Sequence, residues 1–267
     1  MEEPASSLGK RIHLFQWRII PGQVDGNLGR ADDLLGECRP REGDLVVLPE
    51  MFSSGFFYQD LPRMADETER VLAWMSERAA GSGSAIVGSV PVHRSGGIAN
   101  SMIFVDGTGR VQGSYDKVHL FPLSGEDRSF SEGDRTVCVL WNGIPSGLLI
   151  CFDLRYPEMA RKLCLEGVQL ILVSAQWPAS RIGHFRDLVR VRAMENQLLV
   201  AAANSCGEDA AGLLLGGRSR VADPMGRVIG ELEGDEGILS VAVDLEGVDR
   251  TRKEFPVLSL RRPDVYG

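Results

Sequence analysis

Long apolar runs are missing from this sequence. No stretch approaches the roughly 20 residues that a bilayer-crossing helix needs, so no membrane association is expected. CxxC pairs are missing as well. The five cysteines, Cys38, Cys138, Cys151, Cys164 and Cys206, are odd in number and irregular in spacing. That argues against a zinc ribbon or a thioredoxin-type site, and scattered single thiols fit a reducing, cytoplasmic compartment. A positive balance is lacking: the formal net charge is −8 and the pI about 5.1. A general nucleic-acid binder would carry a basic face and is not expected, which still leaves room for a local basic pocket around an acidic small molecule. The segment Met1–Lys10 is acidic and Ser-rich, unlike the basic and then apolar profile of a signal peptide. Internal repeats, low-complexity tracts and dividing linkers are also absent. One domain over residues 1–267 is the expectation.

What is present is a globular balance, 43% hydrophobic and 25% charged residues, that can bury a sizeable core. Apolar patterning predicts strands at 11–17, 44–48, 85–90, 98–106, 111–116, 136–141, 144–150, 169–175, 197–203, 212–223, 227–232 and 237–244. It predicts helices at 26–38, 66–80, 157–166 and 184–195, with a short helix running to Phe255. An irregular stretch, Phe121 to Arg135, is long enough to be functional. Helices alternate with strands, but hairpins interrupt the alternation. An α/β layered sandwich with mixed sheets follows, rather than a doubly wound parallel sheet.

Three residues stand at strand ends. In GLLICFDLRYPE an apolar strand delivers Cys151 into a polar cluster of Asp153, Arg155 and Glu158. A strand running through a tight turn into a helix exposes a nucleophile and aims backbone N–H groups at one point. Nearby positive charge or a helix N-terminus is expected to lower the thiol pKa. A buried small hydrophobe is the plain alternative, and that or a simple surface thiol fits the other four cysteines. In LVVLPEMF, Glu50 closes a second apolar strand; in SYDKVHLF, Lys117 closes a third. Taken singly, each reads as a solvated strand end.

Taken together and in this order, LPEMF, YDKVHLF and CFDLRYPE resemble the nitrilase superfamily, whose members share a Glu-Lys-Cys triad. The resemblance runs from Gln16-Trp17 to the terminal RRPDVY, through GSV at Gly88, HLFPL at His119, VRAMENQ at Val191 and SRVADPMGRV at Ser219. It implies a four-layer α-β-β-α sandwich, and Glu50, Lys117 and Cys151 as the catalytic set. PEMFSSGF, QWPASR and KEFPVLSLRRPDVY are most similar to omega-amidase-like bacterial members, which act on omega-amides of short 2-oxo dicarboxylic acids such as 2-oxoglutaramate. The family commonly has a further acidic residue between the lysine and the cysteine. Glu126 is the candidate, with Asp127 and Glu132 as competitors and a solvated loop carboxylate as the plain alternative.

The scheme this implies has Cys151 attacking an amide carbonyl while Glu50 takes its proton, passes it to departing ammonia and then activates water. Lys117 and the backbone N–H of Phe152 stabilise the oxyanion, and Glu126 holds Lys117 or the substrate. No metal or organic cofactor is required. Replacing Lys117 is expected to cost turnover and leave the fold intact. For a substrate carboxylate, Arg155 and Arg181 are the candidate guanidinium partners, with Phe152 and Trp177 as apolar wall. Arg155 has a structural alternative, pairing with Glu158 or Asp153. Rival readings are a nitrilase or N-carbamoyl amino acid amidohydrolase on the same triad, and a non-catalytic binding protein on the same scaffold. A papain-like enzyme would need His13, His93, His119 or His184 beside Cys151. The resemblance implies at least a homodimer.

Overall fold

β-branched and leucine-rich runs form two central strand sets. The computed structural model describes residues 10–209 and 212–266, so the reading of the N-terminal segment lies, but for Lys10, outside the described residues. In chain order the elements are β1 (Arg11–Gln16), α1 (Val24–Cys38), β2 (Leu45–Val47), α2 (Leu61–Asp66), α3 (Thr68–Ser82), β3 (Ala85–Arg94), β4 (Gly97–Val105), β5 (Val111–Asp116), β6 (Cys138–Trp141), β7 (Ile144–Ile150), α4 (Pro157–Leu165), β8 (Leu170–Ala175), α5 (Ile182–Asn196), β9 (Leu199–Asn204), β10 (Cys206–Glu208), β11 (Leu214–Gly216), β12 (Arg220–Ala222), β13 (Val228–Glu231), β14 (Gly237–Ala242), α6 (Glu246–Glu254) and α7 (Pro263–Tyr266).

Two six-stranded sheets result, in the orders β14-β1-β2-β3-β4-β5 and β13-β12-β9-β8-β7-β6. In the first, β1, β2 and β3 run parallel; in the second, β7, β8 and β9 do, and antiparallel strands flank both sets. Each parallel trio is buried on both faces, which is why LVV, LLI and LILV read as continuous apolar runs rather than alternating ones. The sheets face each other through Ile12, Leu14, Leu45 and Val47 on one side and Leu148, Ile150, Leu172 and Ala201 on the other. Helices α1 and α3 cover the outer face of the first sheet, with Leu28, Leu34, Val71 and Met75 against Phe15, Val46 and Ile86. Helices α4 and α5 cover the second with Leu163, Phe185 and Val189. These are the four layers, α-β-β-α, that the sequence implied.

Several details differ from the pattern-based expectation. The 212–223 strand is two, β11 and β12, because Gly217 and Arg218 both adopt left-handed backbone (φ 60° and 61°) and break the run. The short β10, which pairs with β11, and the six-residue α2 carry too few residues to show a period. The expected strand at 197 begins at Leu199 because Gln197, at φ 48°, terminates α5. The stretch 121–135 contains two single-turn 3₁₀ segments, Pro122–Ser124 and Glu126–Arg128.

Gly133 fixes the return of that stretch to the sheet. Its N–H donates to the Lys117 carbonyl (2.8 Å), and a Cβ there would lie 2.1 Å from the Asp116 carbonyl oxygen. Gly133→Ala therefore forces the loop off the end of β5. The expected loss is about 1–3 kcal/mol in denaturant unfolding, the usual cost of overpacking.

Candidate active site

The ends of β2, β5 and β7 converge on one point between the sheets. Pro49 stops β2, and Glu50 follows, 1% exposed, with its backbone carbonyl held by the Gln176 side-chain amide at 2.8 Å. Beyond β5 the Lys117 N–H donates to the Asn100 carbonyl (2.9 Å), which extends the pairing with β4 and turns the side chain inward, 1% exposed. Beyond β7 the backbone of Cys151 turns left-handed, φ 44°, as the chain enters a 3₁₀ turn over Cys151–Arg155. A non-glycine residue in that region costs of order 1–3 kcal/mol, and such strain gathers at functional sites.

Lys117 Nζ donates to Glu50 Oε1 at 2.8 Å and to both oxygens of Glu126 at 2.8 and 2.7 Å. Glu126 is itself 1% exposed, and the Phe121 N–H donates to its Oε2 at 2.7 Å. So Glu126, not Asp127 or Glu132, reaches Lys117. Asn100 Nδ2 donates to Glu50 Oε1 (2.8 Å) and Glu126 Oε1 (3.0 Å), and the Gln176 N–H donates to Glu50 Oε2 (2.9 Å). Two carboxylates and one ammonium, all buried, stand only because each is paired and hydrogen-bonded. This overturns the expectation that Lys117 can be removed without cost to the fold. Its loss would leave two carboxylates buried and uncompensated.

Burial pushes the Glu50 carboxyl above the ordinary glutamate value; Lys117 opposes this and the Glu126 charge adds to it. For Lys117, burial works against the charge, but Glu126 and Glu50 outweigh it and hold the ammonium well above its ordinary value. Burial likewise drives the Cys151 thiol well above the ordinary range, reinforced by Glu50 and only partly offset by Lys117. The expected lowering of the thiol pKa is thus reversed: the resting group is a neutral thiol beside a carboxylate of raised basicity.

Asp153 braces this arrangement. It is fully buried. One oxygen accepts from the His119 N–H and lies 2.9 Å from His119 Nδ1; the other accepts from Tyr115 Oη (2.7 Å) and from the Ile150 N–H (3.0 Å). The residues on either side of Lys117 are thereby tied to the turn that carries Cys151. Buried Arg192, from the VRAMENQ stretch, holds the far side of that turn by donating to the carbonyls of Leu154 and Arg155 at 3.0 and 2.9 Å. Each histidine ring is engaged away from Cys151: His13 with Asp44 and Ser240, His93 with Asp66, His119 with Asp153, His184 with Arg155. A papain-like pairing has no geometric basis.

The cavity above the sulfur has a volume of about 540 Å³, with Glu50, Lys117, Glu126 and Cys151 at its polar end and Phe56, Phe121, Leu213 and Leu215 among its walls. A recess of only about 30 Å³ beside Cys151 is lined by Phe152, Arg155, Trp177 and Arg181, and of these four candidate substrate-binding residues Arg181 also lines the main cavity. Arg155 pairs with neither Glu158 nor Asp153. Its guanidinium lies over Trp177, 4.8 Å from the ring centroid, and its Nη2 contacts His184 Nδ1 at 3.2 Å. Burial and the neighbouring Arg181 charge lower its pKa, a strain that a bound anion would relieve. Sequence reasoning missed Asn100, Gln176 and the bracing role of Asp153. The signal available for Asn100 was a lone amide inside the apolar run IANSMIF.

The carbon-nitrogen hydrolase family model matches residues 11–253. The chain is 34% identical to a 2-oxoglutaramate amidase of Bacillus subtilis (strain 168) over 96% of this chain and 98% of that one. It is 33% identical to the omega-amidase YafV of Escherichia coli (strain K12), over 93% and 95%. Among solved structures, it is similar to a mutant amidase from Nesterenkonia sp. AN1 bearing acrylamide added at its active-site cysteine (29% identity, TM-score 0.81, 92% of this chain and 98% of that one). The chain belongs to the carbon-nitrogen hydrolase family, within the nitrilase superfamily. It is therefore an enzyme, one that hydrolyses carbon–nitrogen bonds other than peptide bonds.

Two outcomes test the geometry. Asp153→Ala strands four contacts, two of them fully buried, and should cost about 2 kcal/mol of stability. The difference in ultraviolet thiolate absorbance between the wild-type protein and Cys151→Ser should be nil at neutral pH; a thiolate band would contradict the neutral resting state.

Proposed function

We propose that this enzyme, a single domain over residues 1–267, hydrolyses the omega-amide of a short 2-oxo dicarboxylic acid monoamide, of the 2-oxoglutaramate type, and releases ammonia. The observation that carries the reading is that Arg181 lines the same cavity of about 540 Å³ as Cys151 and the Glu50–Lys117–Glu126 cluster, with Arg155 in the small recess beside the sulfur. A bidentate guanidinium suits a carboxylate at the far end of a short chain whose amide reaches the sulfur. The similarity to a 2-oxoglutaramate amidase and an omega-amidase supports the same substrate class.

The chemistry follows from the proton inventory. Cys151 enters as a thiol, and Glu50, whose basicity burial has raised, takes the proton as sulfur attacks the amide carbon. Lys117, held charged by Glu126, faces the oxyanion together with the N–H of Phe152, which opens the turn after Cys151 and lacks an intrahelical partner. The tetrahedral adduct collapses, the C–N bond breaks, and Glu50 returns its proton to the departing ammonia. A thioester remains. Glu50 then draws a proton from water, the hydroxide adds to the thioester, and the acid leaves as the thiol is restored. Phe152 and Trp177 wall the acyl chain. No step calls on a metal or organic cofactor. The chain works as a cytoplasmic homodimer, a reading that rests on the reducing-compartment cysteine pattern and on the family resemblance; sedimentation as a monomer at micromolar concentration would overturn the dimer.

The test is ammonia release from 2-oxoglutaramate, with succinamate, glutamine, an N-carbamoyl amino acid and a simple nitrile alongside. Turnover of 2-oxoglutaramate should disappear in Cys151→Ala. Preference for the carbamoyl compound or the nitrile would move the substrate class, and turnover surviving in Cys151→Ala would overturn the nucleophile. Lys117→Ala should lose roughly 10²–10³-fold in kcat and, unlike a surface lysine, about 3–5 kcal/mol of stability. Because protonated Glu50 cannot accept the thiol proton, and its pKa is raised, kcat/KM should fall on the acid side at a pH above the ordinary glutamate range.

A further inference from the structure

Asn100 is fully buried in β4, and its two amide hydrogens are divided between two carboxylates, Glu50 Oε1 at 2.8 Å and Glu126 Oε1 at 3.0 Å. Its orientation is set by chemistry, since the reverse placement would press a carbonyl oxygen against two carboxylates. The opposite end of the same amide, Oδ1, is buried with no hydrogen-bond partner among the described residues. A residue placed for packing or strand pairing would be apolar here or satisfied at both ends. The side chain is oriented for what its NH₂ does, and its acceptor is left unmade. Its backbone serves the same cluster, because the Asn100 carbonyl receives the Lys117 N–H.

We propose that Asn100 is a positioning residue that sets the proton affinity of the base: one neutral amide clamps Glu50 and Glu126 about Lys117 and favours the ionised form of both. This rests on the reading of Glu50 as the group that deprotonates Cys151. Ionisable groups face Glu50 from each packed element. They are Lys117 at the end of β5, Glu126 on the 3₁₀ turn after it, Cys151 after β7 and Tyr58 across the cavity. Only Lys117 among them is a cation. The two carboxylates repel across it, and a neutral double donor stabilises both charges while lowering the basicity of Glu50 less than a second cation would. Gln176 gives the Glu50 carboxylate a single N–H, its side-chain amide going to the Glu50 backbone carbonyl, and it has no hydrogen bond to Glu126.

Removing the amide withdraws a hydrogen bond from each ionised carboxylate, so the Glu50 proton is held more tightly and the base becomes available only at higher pH. In Asn100→Ala, the acid limb of kcat/KM on 2-oxoglutaramate should move upward by about one pH unit. The same shift should appear in the pH dependence of Cys151 alkylation by iodoacetamide, followed by mass spectrometry of the Cys151 peptide. Asn100→Asp keeps the shape and adds a negative charge. It should shift the limb in the same direction, and it replaces the alanine variant if that one fails to fold. The alkylation profile needs no amide substrate, so failure of the omega-amidase reading would show in the wild-type assay and leave this test intact. An unmoved acid limb in both readouts, with only a lower melting temperature or a uniform fall in rate, would overturn the proposal and make Asn100 a packing residue.

Discussion

A single buried ammonium organises the centre of this protein. Lys117 lies between two carboxylates that could not be buried together without it. The pairing reaches into three separate regions. Glu50 arrives from the interior of the first sheet, Lys117 from its edge strand, and Glu126 from a turn that would otherwise be surface loop. The Phe121 N–H on Glu126 and the Gly133 N–H on the Lys117 carbonyl pin that loop at both ends. Glu50 in turn receives the Gln176 N–H from beyond β8, and Ser174 Oγ donates to the Leu48 carbonyl nearby, so the two sheets are tied where the charges sit. Such a cluster is a weak source of stability, because desolvation consumes most of what the ion pairs provide. What it supplies is geometry.

On the proposed reading, that geometry lets a thiol with a raised pKa serve as the nucleophile. In a thiolate–imidazolium pair the proton has already moved before substrate arrives. Here Cys151, Glu50 and Lys117 are buried together, where burial disfavours a free thiolate and a carboxylate of raised basicity competes for the same proton. In the proposed scheme the proton moves when the carbonyl carbon offers sulfur a bond. The left-handed backbone at Cys151 and the Asp153 brace then matter for aim rather than for activation, since they fix the sulfur relative to a base that approaches from the other sheet.

Much of this was legible in the sequence, for a physical reason. The strands that lead to Glu50 and Cys151 end in continuous apolar runs, and a polar residue at the end of such a run is placed by the strand itself, whereas the strand before Lys117, VQGSYD, is largely polar and Lys117 stood out only through its place in the three-motif order. The layered architecture followed from the mixture of helices and hairpins. The parts that were not legible depend on three-dimensional context. Glu126 could not be separated from Asp127 and Glu132, because a 3₁₀ turn has no apolar period to orient its side chains. Asn100 passed unnoticed because one amide in a strand has no meaning until two carboxylates approach it. The direction of the thiol shift was misread because the charge near Cys151 can be inferred from flanking residues, whereas its burial depends on segments far away in the chain. The broken strand at Gly217–Arg218 turns on two backbone angles that composition does not announce.

The origin of the site in both sheets has a wider consequence. Glu50 and Cys151 are about a hundred positions apart and meet only when the inner faces of the two sheets close on each other. Neither sheet holds a working half of the chemistry. During synthesis or refolding, a chain with one sheet formed carries a cysteine with no base beside it and a base with no cysteine. The assembled site thus exists only once the two sheets are docked. Incomplete copies lack the hydrolytic arrangement, and the appearance of activity marks the closing of the sandwich more faithfully than the appearance of secondary structure.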